Sequence, residues 1–267
     1  MAQPPRAQRD RSERGGGHRH LLYRHGHTVV HRLPAETKIV ATVLFTLVVV
    51  ATPSTARWAF GAYALMIIAV AATARLSPRF VLPRMLVEIP FVLFALLLPF
   101  LARGPRVEVL GVLVSASGLE SAFAMLAKGT LGVLASIVLA ATTELRALLA
   151  GLHRLHVPSL LVQIMAFMLR YIEVVGAEAD RMRVARTSRC FDARHDGRLR
   201  VLAAAAGSLF IRAYERGERV HLAMLSRGYA GGMPVLDTVG AHRSSWALAA
   251  TLPVAAALVA GAAWFTV

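Results

Sequence analysis

Two short motifs, Ser188-Arg189-Cys190 and Ser226-Arg227-Gly228, each set an arginine at the end of a long helix-forming stretch. The guanidinium is permanently charged, planar and forked, so it grips a carboxylate or phosphate through two hydrogen bonds at once. Its chemistry is acid recognition, not covalent catalysis. From Arg170 through Arg227 there are twelve arginines and seven acidic residues, so internal pairing leaves forks for an outside partner. Anionic lipid headgroups, nucleic acid and an acidic groove on another protein would all answer to this chemistry. Lipid attraction is generic, whereas one fixed arginine at the end of each of two long helices implies a socket. Gly228 suits such an end, because the position after a last helical turn favours the left-handed conformation.

The rest of the composition narrows the class. Of 267 residues, 56% are hydrophobic and the mean hydropathy is +0.56, yet the formal charge is +15. A basic nucleic-acid binder does not need so much Leu, Val and Ala, whereas apolar runs separated by arginine-rich segments describe an integral membrane protein. The only lysines are Lys38 and Lys128, and neither follows a glycine. The phosphate-binding sequence GxxxxGK[ST] is therefore absent, and any ATP chemistry that needs it must come from another chain. No GxSxG, no HExxH and no strand-opening GxGxxG occurs either. Cys190 is alone, which removes disulfide frameworks and cysteine-rich metal sites. No catalytic residue, metal site or cofactor is expected.

Residues 1–37 read as a basic cytoplasmic tail; the first 38 residues carry eight Lys+Arg, and sustained apolar sequence begins only at Ile39, so no cleavable signal peptide is expected. Histidines 18, 20, 25, 27 and 31 invite a metal site, but they lack fixed carboxylate or cysteine partners and read as a solvated juxtamembrane segment. Residues 38–141 form a membrane domain of about four spans, with apolar runs at 39–52, 58–74, 86–102 and 119–141. Lys128 and Glu88 interrupt these runs and are read as packed or snorkelling, with a transport-pathway role as the alternative. A linker and last span occupy 231–267, with the apolar run at 246–265.

The run 159–176 is long enough to cross but contains Gln163, Arg170 and Glu173. If it crossed, residues 177–228 would carry eleven arginines to the outer side, against the positive-inside rule. The consistent drawing has about five transmembrane helices, with 142–230 as a cytoplasmic insert of three helices. These are expected at 143–155, with Thr143 as N-cap, at about 159–189, and at about 199–227. Each of the last two has an apolar first half and a charged second half. Glu215–Arg219 is an i,i+4 pair, and Glu178–Arg181 and Asp180–Arg183 are i,i+3 pairs.

Three stretches resemble one family. HRLPAETKIVATVLFTLVVVATP resembles its first-span opening, LRALLAGLHRLHVPSLLVQIMAFMLRYIEVVGAEADRMRVARTSR its first two coupling helices, and ERGERVHLAMLSRGYAGG its third helix and terminal signature. In this order and spacing, covering most of residues 23–230, the chain resembles the transmembrane T component of energy-coupling factor (ECF) transporters, the CbiQ/EcfT family, in its cobalt-type branch.

The resemblance implies an all-α integral membrane protein whose two long coupling helices cross. It also implies a non-catalytic subunit that links two cytoplasmic P-loop ATPases to a substrate-binding membrane subunit. Arg189 and Arg227, flanked by Ser188, Ser226 and Gly228, would dock the ATPases, and Arg186, Glu215 and Arg219 would support the coupling helices. Ser188 and Ser226 stand where alanine is commoner, and Cys190 stands where a small residue is usual. Cobalt or nickel cargo is implied, held by the substrate subunit, with a vitamin transporter or a lipid-binding membrane scaffold as alternatives. The expected partners are the ATPases, the substrate subunit and the bilayer, with no nucleic acid. The expected location is the cell membrane, with the N-terminus and coupling helices cytoplasmic.

Overall fold

The computed structural model describes residues 26, 28–102, 105–109, 112–189, 198–232 and 240–266. In chain order these residues form α1 (Val29–Arg32), α2 (Ala35–Ala51), α3 (Arg57–Thr73), α4 (Pro78–Val81), a 3-10 segment (Leu82–Glu88), α5 (Ile89–Leu101), β1 (Arg106–Val109), β2 (Val112–Ser115), α6 (Ala116–Thr142), α7 (Leu145–Arg154), α8 (Ser159–Ser188), α9 (Arg198–Leu225) and α10 (Arg243–Phe265). The described residues divide into two compact units, one from 26–155 with 240–266 and one from 156–232. The tail 1–25 and Cys190 lie outside the described residues.

Four helical stretches are long and apolar enough to cross a membrane: Pro78–Leu101, Ala116–Thr142, Ser159–Ser188 and Arg243–Phe265. The sequence pattern had set the first two runs later, at 86 and 119. Pro78 at the first helical position and Ser115 as N-cap move the starts upstream, with Ser115 Oγ accepting from the Gly118 amide at 3.4 Å. Helices α2 and α3 have 17 residues each, the lower limit for a span. The expected loop 103–118 contains an antiparallel hairpin, β1 against β2, with Arg106 opposite Ser115 and Val109 opposite Val112.

The first unit packs around aromatic rings. Phe45, Phe60 and Tyr63 are buried among Val49, Ile67, Leu131 and Val138, and Tyr63 meets Phe45 and Phe60 edge-on at 6.1 and 6.3 Å. Thr52 Oγ1 donates to the Val48 carbonyl at 2.9 Å, which leaves Tyr63 Oη to donate to Thr52 at 2.9 Å. The buried ring therefore keeps its hydroxyl satisfied.

Four charged groups in this apolar unit have partners on other elements. Lys128 Nζ donates to the Val50 carbonyl at 2.8 Å, and buried Glu88 accepts from Thr130 Oγ1 at 2.6 Å, so both have packed roles. Lys38, also buried, donates to the Thr142 carbonyl at the C-terminus of α6 at 2.8 Å, where a cation complements the helix dipole. Buried Glu36 accepts from the Ala241 amide at 2.6 Å and lies 3.6 Å from Arg154 Nη1. One carboxylate thus joins the start of α2, the end of α7 and the approach to α10.

Helix α7 begins at Leu145 with Glu144 in the N-cap position, one residue beyond the expected Thr143, because Glu144 at ψ 146° is itself still extended. Gly151 lets α7 lie against α2: a Cβ there would meet the Glu36 amide nitrogen at 2.9 Å and the Ala35 Cβ at 3.1 Å. Gly151→Val is expected to cost about 1–3 kcal/mol by overpacking, read as a lowered thermal midpoint in detergent. Gly176→Ala, with open space around its Cβ, should hold or raise that midpoint. Equal midpoints for Gly151→Val and the parent would refute the close approach.

Candidate functional site

The two motif arginines are carried by α8 and α9, of 30 and 28 residues. Helix α8 starts after Pro158, and its first half exposes Leu160, Leu161, Ile164, Met168 and Ile172. Within α8 only Val162 is buried, and no described residue of α9 is.

The helices run antiparallel. Glu178 of α8 accepts from Arg181 on its own helix at 2.5 Å and from Arg212 of α9. Fifteen residues back along α8, Gln163 Oε1 accepts from Tyr229 Oη at 2.6 Å, just beyond the end of α9. Gln163 Nε2 donates to the Gly231 carbonyl at 3.2 Å. Arg227 is therefore level with the start of α8, and Arg189 with its far end. From Gln163 to Arg189, a rise of about 1.5 Å per residue gives roughly 39 Å.

The end of α9 is closed by a Schellman motif. The Gly228 amide donates to the Leu225 carbonyl and the Tyr229 amide to the Met224 carbonyl, each at 3.0 Å. Gly228 has φ +82°, the left-handed geometry that glycine takes without penalty. At the end of α8, Arg189 is the C-cap, with φ −91° and ψ 23°, and its amide donates to the Arg186 carbonyl at 3.2 Å.

The motif serines behave alike. Ser188 Oγ donates to the Ala185 carbonyl and Ser226 Oγ to the Ala223 carbonyl, both at 3.0 Å. Each hydroxyl folds back onto its helix, so the arginine is the polar group each motif projects. Arg189 and Arg227 are exposed and make no ion pair among the described residues.

The supporting residues are placed less uniformly. Arg186 turns back to its helix, Nε donating to the Met182 carbonyl at 3.3 Å. Glu215 and Arg219 approach to 3.9 Å with both side chains exposed, a pair worth a few tenths of a kcal/mol at about the usual scale. Glu178–Arg181 forms as the spacing predicts, but Asp180 and Arg183 make no ion pair among the described residues. An exposed pair on a short aspartate gains too little to offset the entropy of fixing it. Gln163, Arg212 and Tyr229 are contributors that sequence reasoning did not single out as a site; Gln163 was visible only as a polar break in an apolar run. Among the described residues, no group of three or more His, Cys, Asp or Glu is placed to hold a metal ion.

An apolar helical unit with several membrane-length helices, joined in one chain to an arginine-tipped helix pair, defines a multi-pass α-helical membrane protein. Residues 26–236 match the family described as cobalt transport protein, CbiQ, and the chain belongs to that family. Over 136 residues it is 32% identical to an uncharacterized protein of Methanocaldococcus jannaschii, covering 50% of this chain and 51% of that one. Over 146 residues it is 30% identical to the cobalt transport protein CbiQ of Rhodobacter capsulatus, covering 53% of this chain and 60% of the relative. The chain thus spans about half the length of the first relative and three fifths of the second. Over 221 residues it is 30% identical to the energy-coupling factor transporter transmembrane protein EcfT of Thermosediminibacter oceani, covering 78% and 82% of the two chains.

Gly228→Ala forces a side chain into the left-handed region and is expected to cost about 1–2 kcal/mol at the cap. Amide hydrogen exchange at Gly228–Tyr229 should accelerate about tenfold, while Gly207→Ala inside α9 leaves it unchanged. Unaltered exchange in Gly228→Ala would show that the cap does not hold the tip.

Proposed function

We propose that this chain is the coupling subunit of an ECF-type importer. It transmits ATP-driven motion from two cytoplasmic P-loop ATPases to a separate substrate-binding membrane subunit. Arg189 and Arg227 each dock an acidic groove on one ATPase. The observation that carries the reading is the antiparallel course of α8 and α9, which separates the two arginines by roughly 39 Å and suits two sockets on two partners. Single arginines with no ion-pair partner among the described residues retain the full charge-assisted, bidentate capacity that a carboxylate-lined groove uses.

In this mechanism nucleotide binding closes the ATPases and moves the tied helix pair through its two arginine tips. Motion of the tips passes along the helices to the substrate subunit, which turns in the membrane and releases its cargo. ATP hydrolysis belongs to the partners, and this chain supplies geometry instead of catalysis. Cobalt, or the chemically similar nickel, is the proposed cargo; the support is the family description and the printed name of the Rhodobacter relative. The domain assignment follows the same reading: a basic tail at 1–37, a membrane domain at 38–141, coupling helices at 142–230 and a last span after 231. The arginine excess supports a cytoplasmic N-terminus and cytoplasmic coupling helices under the positive-inside rule.

The test is ATPase binding to the full chain in nanodiscs. Arg189→Glu and Arg227→Glu are each expected to lose one ATPase, by roughly 2–5 kcal/mol, as a charge reversed inside an acidic groove requires; the double variant should lose both. Arg183→Glu, exposed on the flank of α8, should change affinity by less than about tenfold. A lipid-binding patch would instead lose about 1 kcal/mol per charge, alike at all three positions. Full ATPase binding by the double variant would end the docking reading.

A further inference from the structure

The two arginine tips are not held in the same way. Beyond Arg227 the chain is pinned three times: by the Schellman amides, by Tyr229 Oη donating to Gln163 Oε1 at 2.6 Å, and by Gln163 Nε2 donating to the Gly231 carbonyl at 3.2 Å. The orientation of the Gln163 amide follows from this network. Gly231 offers a carbonyl and so needs a donor, which assigns Nε2 to it and leaves Oε1 for the tyrosine hydroxyl. Gly231, at φ +88°, turns the segment so that its carbonyl meets Gln163. Tyr229 is half-buried, while Ser226, Arg227, Gly228 and Ala230 around it are exposed.

We propose that Tyr229 and Gln163 are positioning residues that set the aim of Arg227, making that tip a preformed docking arm. The inference rests on the docking reading above and adds how the arm is ordered. An arginine on a frayed helix end must be ordered when it docks, and that entropy is subtracted from affinity. At Arg227 the backbone on the C-terminal side is ordered in advance by a side chain 66 residues away in sequence. Removing the hydroxyl breaks the link to α8 without removing the ring or the arginine. Loss of one such bond corresponds to roughly tenfold in affinity.

The experiment uses the full chain in nanodiscs with the ATPase that co-purifies with it, in an Arg189→Ala background so that binding reads the Arg227 arm. Tyr229→Phe and Gln163→Leu, on different helices, should each weaken binding about tenfold and speed amide exchange at 228–231 in the isolated protein. With Arg189 restored, so that binding remains measurable, adding Tyr229→Phe to Arg227→Ala should cause no further loss, because the tie acts through the arginine. Unchanged affinity and exchange in Tyr229→Phe, with Arg227→Ala abolishing binding, would overturn the positioning role and leave docking intact. Equal losses from Tyr229→Phe with and without Arg227 would also overturn it, as a general structural effect. Unchanged binding in Arg227→Ala, or no ATPase recovered at all, would remove the docking reading and this inference with it.

Discussion

Glu178 is the carboxylate on which the register of the two long helices turns. It accepts from Arg181 along α8 and from Arg212 across to α9. With one of its partners on each helix, it cannot keep both bonds if α9 slides by a turn. Gln163 repeats the constraint at the other end of the contact, through Tyr229 and Gly231. Two polar ties about fifteen residues apart define a line, and that line fixes where the helix tips fall. The apolar first halves of α8 and α9 cannot do this alone, because aliphatic side chains lack direction and tolerate sliding.

The same separation of tasks runs through the first unit. Bulk comes from aromatic and aliphatic packing around Tyr63, while orientation comes from a few polar groups in an apolar setting. A charge in such a setting is costly by about 2.5–3.5 kcal/mol on insertion scales unless it is paired or reaches the interface. Lys38, Lys128 and Glu88 each meet that demand with a backbone carbonyl or a hydroxyl from another helix. Glu36 meets it with a backbone amide and a nearby arginine. Each solution ties elements far apart in the chain, so the polar residues specify which helices are neighbours.

Local signals were legible and distant ones were not. Pro158 and the change from apolar to charged sequence bounded α8 to within a residue, and Gly228 announced the end of α9 because the left-handed cap is a local requirement. The hairpin at Arg106–Ser115 was missed: two four-residue strands with a short connection leave little alternation to count, and the segment reads as an interhelical loop. Glu144 took the cap position from Thr143 because its own backbone stays extended, which composition does not reveal. The bonds that order the Arg227 tip join residues 66 and 68 apart. Periodicity identified Gln163 as an anomaly in an apolar run but carried no information about its partner. The motif arginines themselves stood out because an unpaired surplus of charge is a property of counting, not of folding.

The shortness of α2 and α3 bears on the membrane itself. At 17 residues each, they reach only about 26 Å at the rise of an α-helix, against a hydrocarbon slab of about 30 Å. Where these helices cross a bilayer, the shortfall of about 4 Å is met by local thinning, by headgroups drawn inward, or by flanking polar side chains such as Arg57 at the start of α3.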